Sequence, residues 1–310
     1  MDYAHGRALP LATSQGTSVR WMDGPETLEA RSTLDGGTGV LGHGGPTWMS
    51  VVELAASLTG TEHGLLEIEG DLPVGAGLSS STSFAVAVAL ALGGPRGDEE
   101  LISLAWTCEQ ALGTPTGLLD QQAIVAARDG MAVLADFATG VRRDVRLPAD
   151  LRLAVVHTGI TRALTTSPYA QRRAQVEAAE AALGPLGSAA PEDLKRIDDA
   201  LIARRARHVV TECARVDAAV EALERGDLVE LGDLVDASHA SLRDDFEVSL
   251  PEIDALADEL RNQDGVLGVR LMGGGFGGCL LVVGDRALAL EHDRPHWEVR
   301  PGGGARILEA

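Results

Sequence analysis

The stretch Pro73-Val-Gly-Ala-Gly-Leu-Ser-Ser-Ser-Thr-Ser83, running into the apolar segment Phe84 to Leu92, constrains this chain more than any other. Gly75, Ala76 and Gly77 let the backbone bend tightly and approach a ligand closely. Ser79, Ser80 and Ser81 follow where a helix would begin, and a hydroxyl there can cap free backbone N–H groups. The run Phe-Ala-Val-Ala-Val-Ala-Leu-Ala-Leu then reads as a buried helix. A glycine-rich turn feeding a helix N-terminus gathers unpaired N–H groups and the positive end of the helix dipole in one place, which suits an anion. A phosphate cradle is one reading of this stretch, and a plain strand-to-helix turn is the other. It is not a Walker loop, because no Gly-Lys-Ser/Thr follows.

Charge narrows what the turn can bind. The formal net charge of −20 argues against nucleic-acid or anionic-membrane partners, which would need a basic face. An acidic chain that holds a phosphorylated ligand must bring local positive charge, backbone N–H groups or Mg²⁺ to the site. Aromatic residues are only 3%, so the core must be built from Ala, Val and Leu. Cys108, Cys213 and Cys279 are odd in number and widely spaced, which fits neither a disulfide framework nor a zinc site and points to buried free thiols. The apolar run after Ser83 is too short to span a bilayer, and the first residues do not read as a signal peptide. A cytoplasmic monomer that acts on small molecules is the expectation.

Along the chain, residues 8–12, 17–22 and 26–33 read as short strands, and the glycine-rich Gly36 to Pro46 as a mobile loop. Trp48 to Leu58 has helical periodicity, with Gly60 as its stop. Residues 64–69 alternate as a strand that leads into the glycine turn. Glu99 to Leu112 forms an amphipathic helix carrying Cys108 and Glu109, Gly113 to Gly117 breaks it, and a further helix starts at Leu118. Strands are expected over 131–136, 142–147 and 151–157, then a long helix from Ala163 to Leu183 containing Arg172 and Arg173. Helices follow over Ala200 to Glu224, Leu228 to Leu242 and Pro251 to Arg261. Val269 to Met272 and Cys279 to Val283 read as strands joined by Gly273-Gly-Gly-Phe-Gly-Gly278. The pattern is α+β, with a first domain over 1–130 and a second over 131–310.

Several side chains carry candidate chemistry, each beside a plainer alternative. Asp120 sits between a glycine break and an apolar helix, where burial and a nearby cation could set its ionisation and let it accept a proton from a hydroxyl attacking phosphorus. It would equally serve as a first-turn Asp favourable to the helix dipole. Glu109 could reach a metal or lie solvated on the surface, and Ser81 could ligate Mg²⁺ or cap its helix. Trp48 reads as a core aromatic or as a face for a base ring. Tyr169, Arg172 and Arg173 read as a solvated helix face, or else as the wall of a polar pocket. Gly273 to Gly278 would be a tight turn or a close neighbour of the ligand.

Together these features are more specific than any one alone. Pro73 to Ser83 resembles the second motif of the GHMP small-molecule kinases, and Leu271-Met-Gly-Gly-Gly-Phe-Gly-Gly-Cys279 resembles their third motif in its galactokinase form. Gly117-Leu-Leu-Asp-Gln121 is similar to the galactokinase segment that carries the catalytic Asp. Thr161 to Arg173, Ala237 to Ser249 and Asp2 to Pro10 resemble the same branch, and the likeness runs on to Trp297 through Arg306. It spans essentially the whole chain.

The resemblance implies a two-domain fold. An N-terminal ribosomal-S5-like βαβ domain would bind ATP, a C-terminal ferredoxin-like α+β domain would follow, and the last strand would return to the first domain. It implies a sugar-1-kinase that uses ATP and Mg²⁺, galactokinase above all. Asp120 would face the sugar C1 hydroxyl, and Ser81 and Glu109 would hold Mg²⁺. Gly75, Ala76, Gly77, Leu78, Ser79, Ser80 and Ser81 would wrap the phosphates, with Trp48 near the adenine. Asp2, Gly117 and Tyr169 would contact the sugar, and Gly274 and Gly275 would lie close to the reacting groups. Thr82, Thr116 and Pro168 replace commoner family choices, which leaves galacturonate, arabinose or an N-acetylhexosamine as alternative sugars. The family's first motif begins here only at Asp2-Tyr3, without the preceding strand, Arg and Glu-His pair. The expectation is that the natural protein is longer by a few tens of residues. It follows that the chain as given has low or no activity, or acts as an inactive module that binds sugar and nucleotide.

Overall fold

A computed structural model describes residues 1–72, 77–94, 96–113, 117–160 and 168–308, with the side chains of 168 and 169 left out. The chain forms two compact units. The larger comprises Met1–Pro10, Gly75–Gly77 and Gly130–Pro301; the smaller comprises Leu11–Val74, Leu78–Asp129 and Gly302–Ala310.

The larger unit opens with the short strand β1 (Arg7–Ala8). In the smaller unit, β2 (Thr17–Met22), β3 (Glu29–Ser32), β4 (Thr38–Val40) and β5 (Leu65–Gly70) make one sheet in the order β2-β5-β3-β4. Strands β3 and β5 run parallel, while β2–β5 and β3–β4 are antiparallel. Strand β4 lies inside the stretch expected to be a mobile loop, where Thr38–Val40 pairs with Glu29–Arg31. Helix α1 (Met49–Thr59) ends at Gly60, whose φ of 73° supplies the left-handed cap the sequence called for.

Helix α2 (Ser80–Gly93) follows the glycine turn, then α3 (Asp98–Glu109) and α4 (Leu119–Ala126). Alanine lets α2 pack closely: Phe84, Ala85 and Val88 join α1 and the sheet in one core with Leu28, Val52 and Ile68. Val86 and Ala89 face a second cluster with Leu101, Ile102 and Ala105 of α3. The aromatic-poor composition thus appears as a core of small aliphatic side chains.

Beyond residue 130 the chain stays in the larger unit until Pro301. Strands β6 (Met131–Asp136) and β7 (Arg142–Arg146) form a three-stranded sheet with β1. Strand β8 (Arg152–His157) is followed by α5 (Pro168–Leu183), α6 (Ala200–Arg225), α7 (Leu228–Asp244) and α8 (Pro251–Arg261). The expected helix start at Ala163 lies outside the described residues. Asp199 caps α6 by accepting from the Leu201 and Ile202 amides, Asp227 caps α7 through the Glu230 amide, and Pro251 opens α8.

Strands β9 (Val266–Leu271), β10 (Cys279–Gly284) and β11 (His296–Val299) complete an antiparallel sheet in the order β11-β8-β10-β9. Helix α7 approaches β9 so closely that a Cβ at Gly232 would stand 2.2 Å from the Leu267 carbonyl oxygen. Ile253, Leu260, Val156, Leu271 and Val282 lie in the core under these helices. Strand β11 pairs with β8 in this sheet. Past it, the amides of Gly302, Gly304 and Ala305 bond to carbonyls of Ala12, Ala127 and Ile124 in the smaller unit. None of the three cysteines is joined in a disulfide and all are buried, and burial pushes the Cys108 thiol up to about 11. Among the described residues, no helix is long and apolar enough to cross a membrane.

Candidate active site

The α2 N-terminus gathers the polar groups of the smaller unit. Ser79 stands at the N-cap with φ 54°, left-handed for a non-glycine residue, and its side chain makes no cap bond. The serine hydroxyls do not act as the caps the sequence suggested. Ser79 Oγ donates to Asp120 Oδ2 at 2.7 Å, and Ser81 Oγ donates to Glu109 Oε1 at 2.8 Å. The backbone N–H groups of the first α2 turn therefore receive no side-chain cap from Ser79, the arrangement an anion-binding N-terminus requires.

Glu109 is 1% exposed, which overturns its reading as a solvated surface residue. A buried carboxylate is tolerated when charge-assisted hydrogen bonds surround it. Here Thr82 Oγ1 lies 2.8 and 3.0 Å from Oε1 and Oε2, and Gln121 Nε2 donates to Oε2 at 2.6 Å. Ser81, at the exposed edge, completes the set. Three helices thus meet on one carboxylate: α2 through Ser81 and Thr82, α3 through Glu109 itself, and α4 through Gln121. Gln121 Oε1 is buried and finds no partner among the described residues. Sequence reasoning gave neither Thr82 nor Gln121 a part in the site; their adjacency to Ser81 and Asp120 was the signal available.

Asp120 is half-buried in the first turn of α4, one residue before Gln121. Ser79 therefore ties the segment that carries Asp120 to the start of α2, and Gln121 ties it to Glu109 of α3. Trp48 is neither wholly core nor open: its ring meets Phe84 edge-on at 6.0 Å, and its Nε1 donates to Asp35 Oδ2 at 2.8 Å. Gly117 is exposed just ahead of α4. Gly77 and Leu78 lie on the approach to α2 and Ser80 is its first residue, while Gly75 and Ala76 fall outside the described residues.

The remaining candidates belong to the larger unit. Asp2 opens a single 3₁₀ turn, and its Oδ1 accepts from the Tyr3 amide at 2.8 Å. Tyr169 lies in α5, and its side chain is outside the described residues. Gly274 is half-buried and Gly275 buried in the turn between β9 and β10. Gly275 has φ 80°, and a Cβ there would stand 2.4 Å from Val248 Cβ, so only glycine fits. Arg172 is not part of a solvated face: it is buried and donates through Nε to the Phe246 carbonyl at 2.7 Å. Arg173 is half-exposed and pairs with Glu177 one turn on.

Fitted to Mg²⁺, the Ser81–Glu109 pair is apt. Both are hard oxygen donors of the kind Mg²⁺ takes, held 2.8 Å apart by the hydrogen bond from the Ser81 hydroxyl to the carboxylate. No cluster of three or more His, Cys, Asp or Glu that could hold a metal occurs among the described residues. A Mg²⁺ ion that keeps waters and phosphate oxygens needs only one or two carboxylates, and such a cluster is not required.

Comparison with known proteins agrees with this geometry. The family model described as "GHMP kinases N terminal domain" matches residues 48–128, and "GHMP kinases C terminal" matches residues 219–292. A solved structure of Lactococcus lactis galactokinase complexed with galactose is similar at 26% identity and TM-score 0.86, over 99% of this chain and 91% of that one. The mevalonate kinase of L. major, in complex with R-mevalonate, matches at 22% identity and TM-score 0.69, over 98% of this chain and 93% of that one. A putative homoserine kinase from Listeria monocytogenes matches at 17% identity and TM-score 0.59, over 100% of this chain and 95% of that one. These two likenesses speak for the fold alone. The chain belongs to the GHMP kinases and is galactokinase-like among them.

Proposed function

We propose that this protein transfers the γ-phosphoryl group of ATP to the C1 hydroxyl of a sugar, galactose above all. The observation that carries the reading is the joint at the α2 N-terminus, where Ser79 holds Asp120 and Ser81 holds Glu109. The first pair supplies a carboxylate to the attacking hydroxyl, and the second supplies oxygen ligands for a cation beside an anion-binding helix end. The likeness to a galactokinase complexed with galactose supports the choice of sugar.

In this reading the C1 oxygen forms a bond to the γ-phosphorus as the bond to the bridging oxygen breaks, and ADP leaves. Asp120 orients the C1 hydroxyl and accepts its proton or its hydrogen bond, with Ser79 fixing the carboxylate's orientation. Gly75 to Ser81 hold the phosphates through backbone N–H groups, whose dipoles offset the charge that develops on the transferring group. Ser81 and Glu109 would hold Mg²⁺, which would supply positive charge to offset that of the phosphates in an otherwise acidic protein. Trp48, fixed by Asp35, packs beside the adenine. Asp2, Gly117 and Tyr169 bind the sugar, and Gly274 and Gly275 stand close to the reacting groups.

The test is an ATP-consumption panel with galactose, galacturonate, arabinose, an N-acetylhexosamine, mevalonate and homoserine as acceptors. Mg²⁺-dependent turnover highest on galactose, with the product phosphorylated at C1, is the expected outcome. Turnover on mevalonate or homoserine with none on any sugar would overturn the reading.

A further inference from the structure

The turn Gly273–Gly278 is braced by another segment of the larger unit, Phe246–Ser249, which follows α7. The Phe276 amide donates to the Val248 carbonyl at 2.7 Å, and Gly275 packs against Val248 with no room for a side chain. Both sides of this contact contain a non-glycine residue in left-handed conformation, Glu247 at φ 54° and Phe276 at φ 59°. Such a backbone persists only where its surroundings over-determine it.

The surroundings here are arginines. Arg205, 1% exposed, donates through Nη2 to Glu247 Oε2 at 2.5 Å, through Nη1 to the Asp245 carbonyl at 2.5 Å and through Nε to Gln175 at 2.9 Å. Arg204 Nη1 stands 2.7 Å from Glu247 Oε1. Arg172 donates to the carbonyls of Phe246 and Glu247 at 2.7 and 3.0 Å, and its guanidinium lies 5.9 Å from the centre of the Phe276 ring. One carboxylate is thus gripped by α6 on both oxygens, while α5 holds the backbone on either side of it and touches the glycine turn as well. The hydrogen bond from Arg205 holds the Glu247 carboxyl below its ordinary range, so the charge persists at neutral pH.

We infer that Glu247, gripped by Arg204 and Arg205, is a positioning residue for the glycine turn: its carboxylate locks the left-handed step that aims the Val248 carbonyl at the Phe276 amide. Arg172 secures the same step from α5. The catalytic consequence rests on the proposal that Gly274 and Gly275 stand at the reacting groups. The mechanical consequence does not.

The experiment compares Glu247→Gln with Asp245→Asn in the full chain. Asp245 pairs through its side chain with Arg207 at 3.0 Å, so its variant removes a similar ion pair two residues away without touching Glu247. Amide hydrogen exchange in the peptide containing Phe276 should quicken by about tenfold or more in Glu247→Gln and stay at the wild-type rate in Asp245→Asn. The kcat of Glu247→Gln, referred to the concentration of folded protein measured by circular dichroism because loss of folded enzyme alone also lowers the apparent kcat at unchanged KM, should fall by about tenfold, with KM for ATP within about twofold. Arg204→Gln, at a partly exposed guanidinium, should shift both readouts in the same direction by less, and it serves if Glu247→Gln fails to fold. Unchanged exchange at Phe276 overturns the inference, whereas faster exchange with wild-type kcat leaves Glu247 holding the turn and overturns the placement of Gly274 and Gly275 at the reacting groups. Should the wild-type chain phosphorylate no sugar, the functional proposal falls, and the exchange measurement by itself still decides whether Glu247 holds the turn.

Discussion

The two units bury polar side chains in different ways. Among the described residues of the smaller unit, buried polar and charged side chains are Ser32, Thr82, Glu109 and Gln121, and three of these four form one hydrogen-bonded group around a carboxylate. The larger unit buries Thr158, just past β8, together with Arg172, Arg205, His208, Glu212, Ser238, His239 and Ser241, spread over α5, α6 and α7. In the smaller unit, neutral hydroxyl and amide donors from two helices converge on one anion carried by a third. In the larger, guanidinium and imidazole groups brace helices and a strained turn. The contrast teaches where sensitivity should lie. The first arrangement concentrates the proposed function in a few atoms, while the second distributes support and exposes it to acid.

The largest effect should come from the first arrangement. Asp120→Asn keeps the shape and the Ser79 contact but cannot take a proton. Its kcat should fall by about 10²–10⁴-fold, the usual worth of a positioned acid–base group, while ATP binding measured by calorimetry stays near the wild-type value. Wild-type turnover in this variant would remove Asp120 from the mechanism. Next in size is Glu109→Gln, which removes the charge on which Ser81, Thr82 and Gln121 converge. Hydrogen bonds to charged groups are worth about 1.5–3 kcal/mol each; urea unfolding should show a loss of about that size for the group as a whole. The Mg²⁺ concentration needed for half-maximal turnover should rise together with it. A stability loss without a change in Mg²⁺ requirement would make Glu109 a structural residue and sharpen the contrast differently.

The sequence displayed the helices well and the side-chain partnerships poorly. Periodicity and glycine stops placed α1, α6, α7 and α8 within a few residues, because the signals that set those elements are local. The glycine turn between β9 and β10 was equally visible, since a run of five glycines around Phe276 permits few other structures. Glu109 and Arg172, for each of which a solvated position was one of two readings, are buried for one shared reason. Each is buried by partners from distant segments, Thr82 and Gln121 in one case and the Phe246–Glu247 backbone in the other. A charged residue on an amphipathic helix looks exposed until the groups that neutralise it are known. The serines show the same limit. Their position at a helix start suggested capping, whereas Ser79 and Ser81 reach across to carboxylates 41 and 28 residues along the chain.

The smallest expected effect belongs to the larger unit and tests its sensitivity to acid. His208, on α6, accepts from or donates to Ser241 Oγ at 3.0 Å and stacks on Phe246 with ring centroids 4.4 Å apart. Burial drives its pKa down to about 3, so the folded protein keeps the ring neutral. The unfolded chain binds a proton near pH 6.5 that the folded chain refuses until about pH 3. Stability is therefore intact above pH 6.5 and is lost as pH falls through the window between those values. One such proton costs about 1.4 kcal/mol per pH unit, or about 2 kcal/mol between pH 7 and pH 5. His239, also held down by burial, adds a loss of the same sign. Urea midpoints at pH 7, 6 and 5 should fall less steeply in His208→Gln than in the wild type, whatever the two proteins' stabilities at pH 7. Equal slopes would mean that His208 is protonated in the fold. The acid sensitivity of the larger unit would then have to come from groups other than the imidazole between α6 and α7.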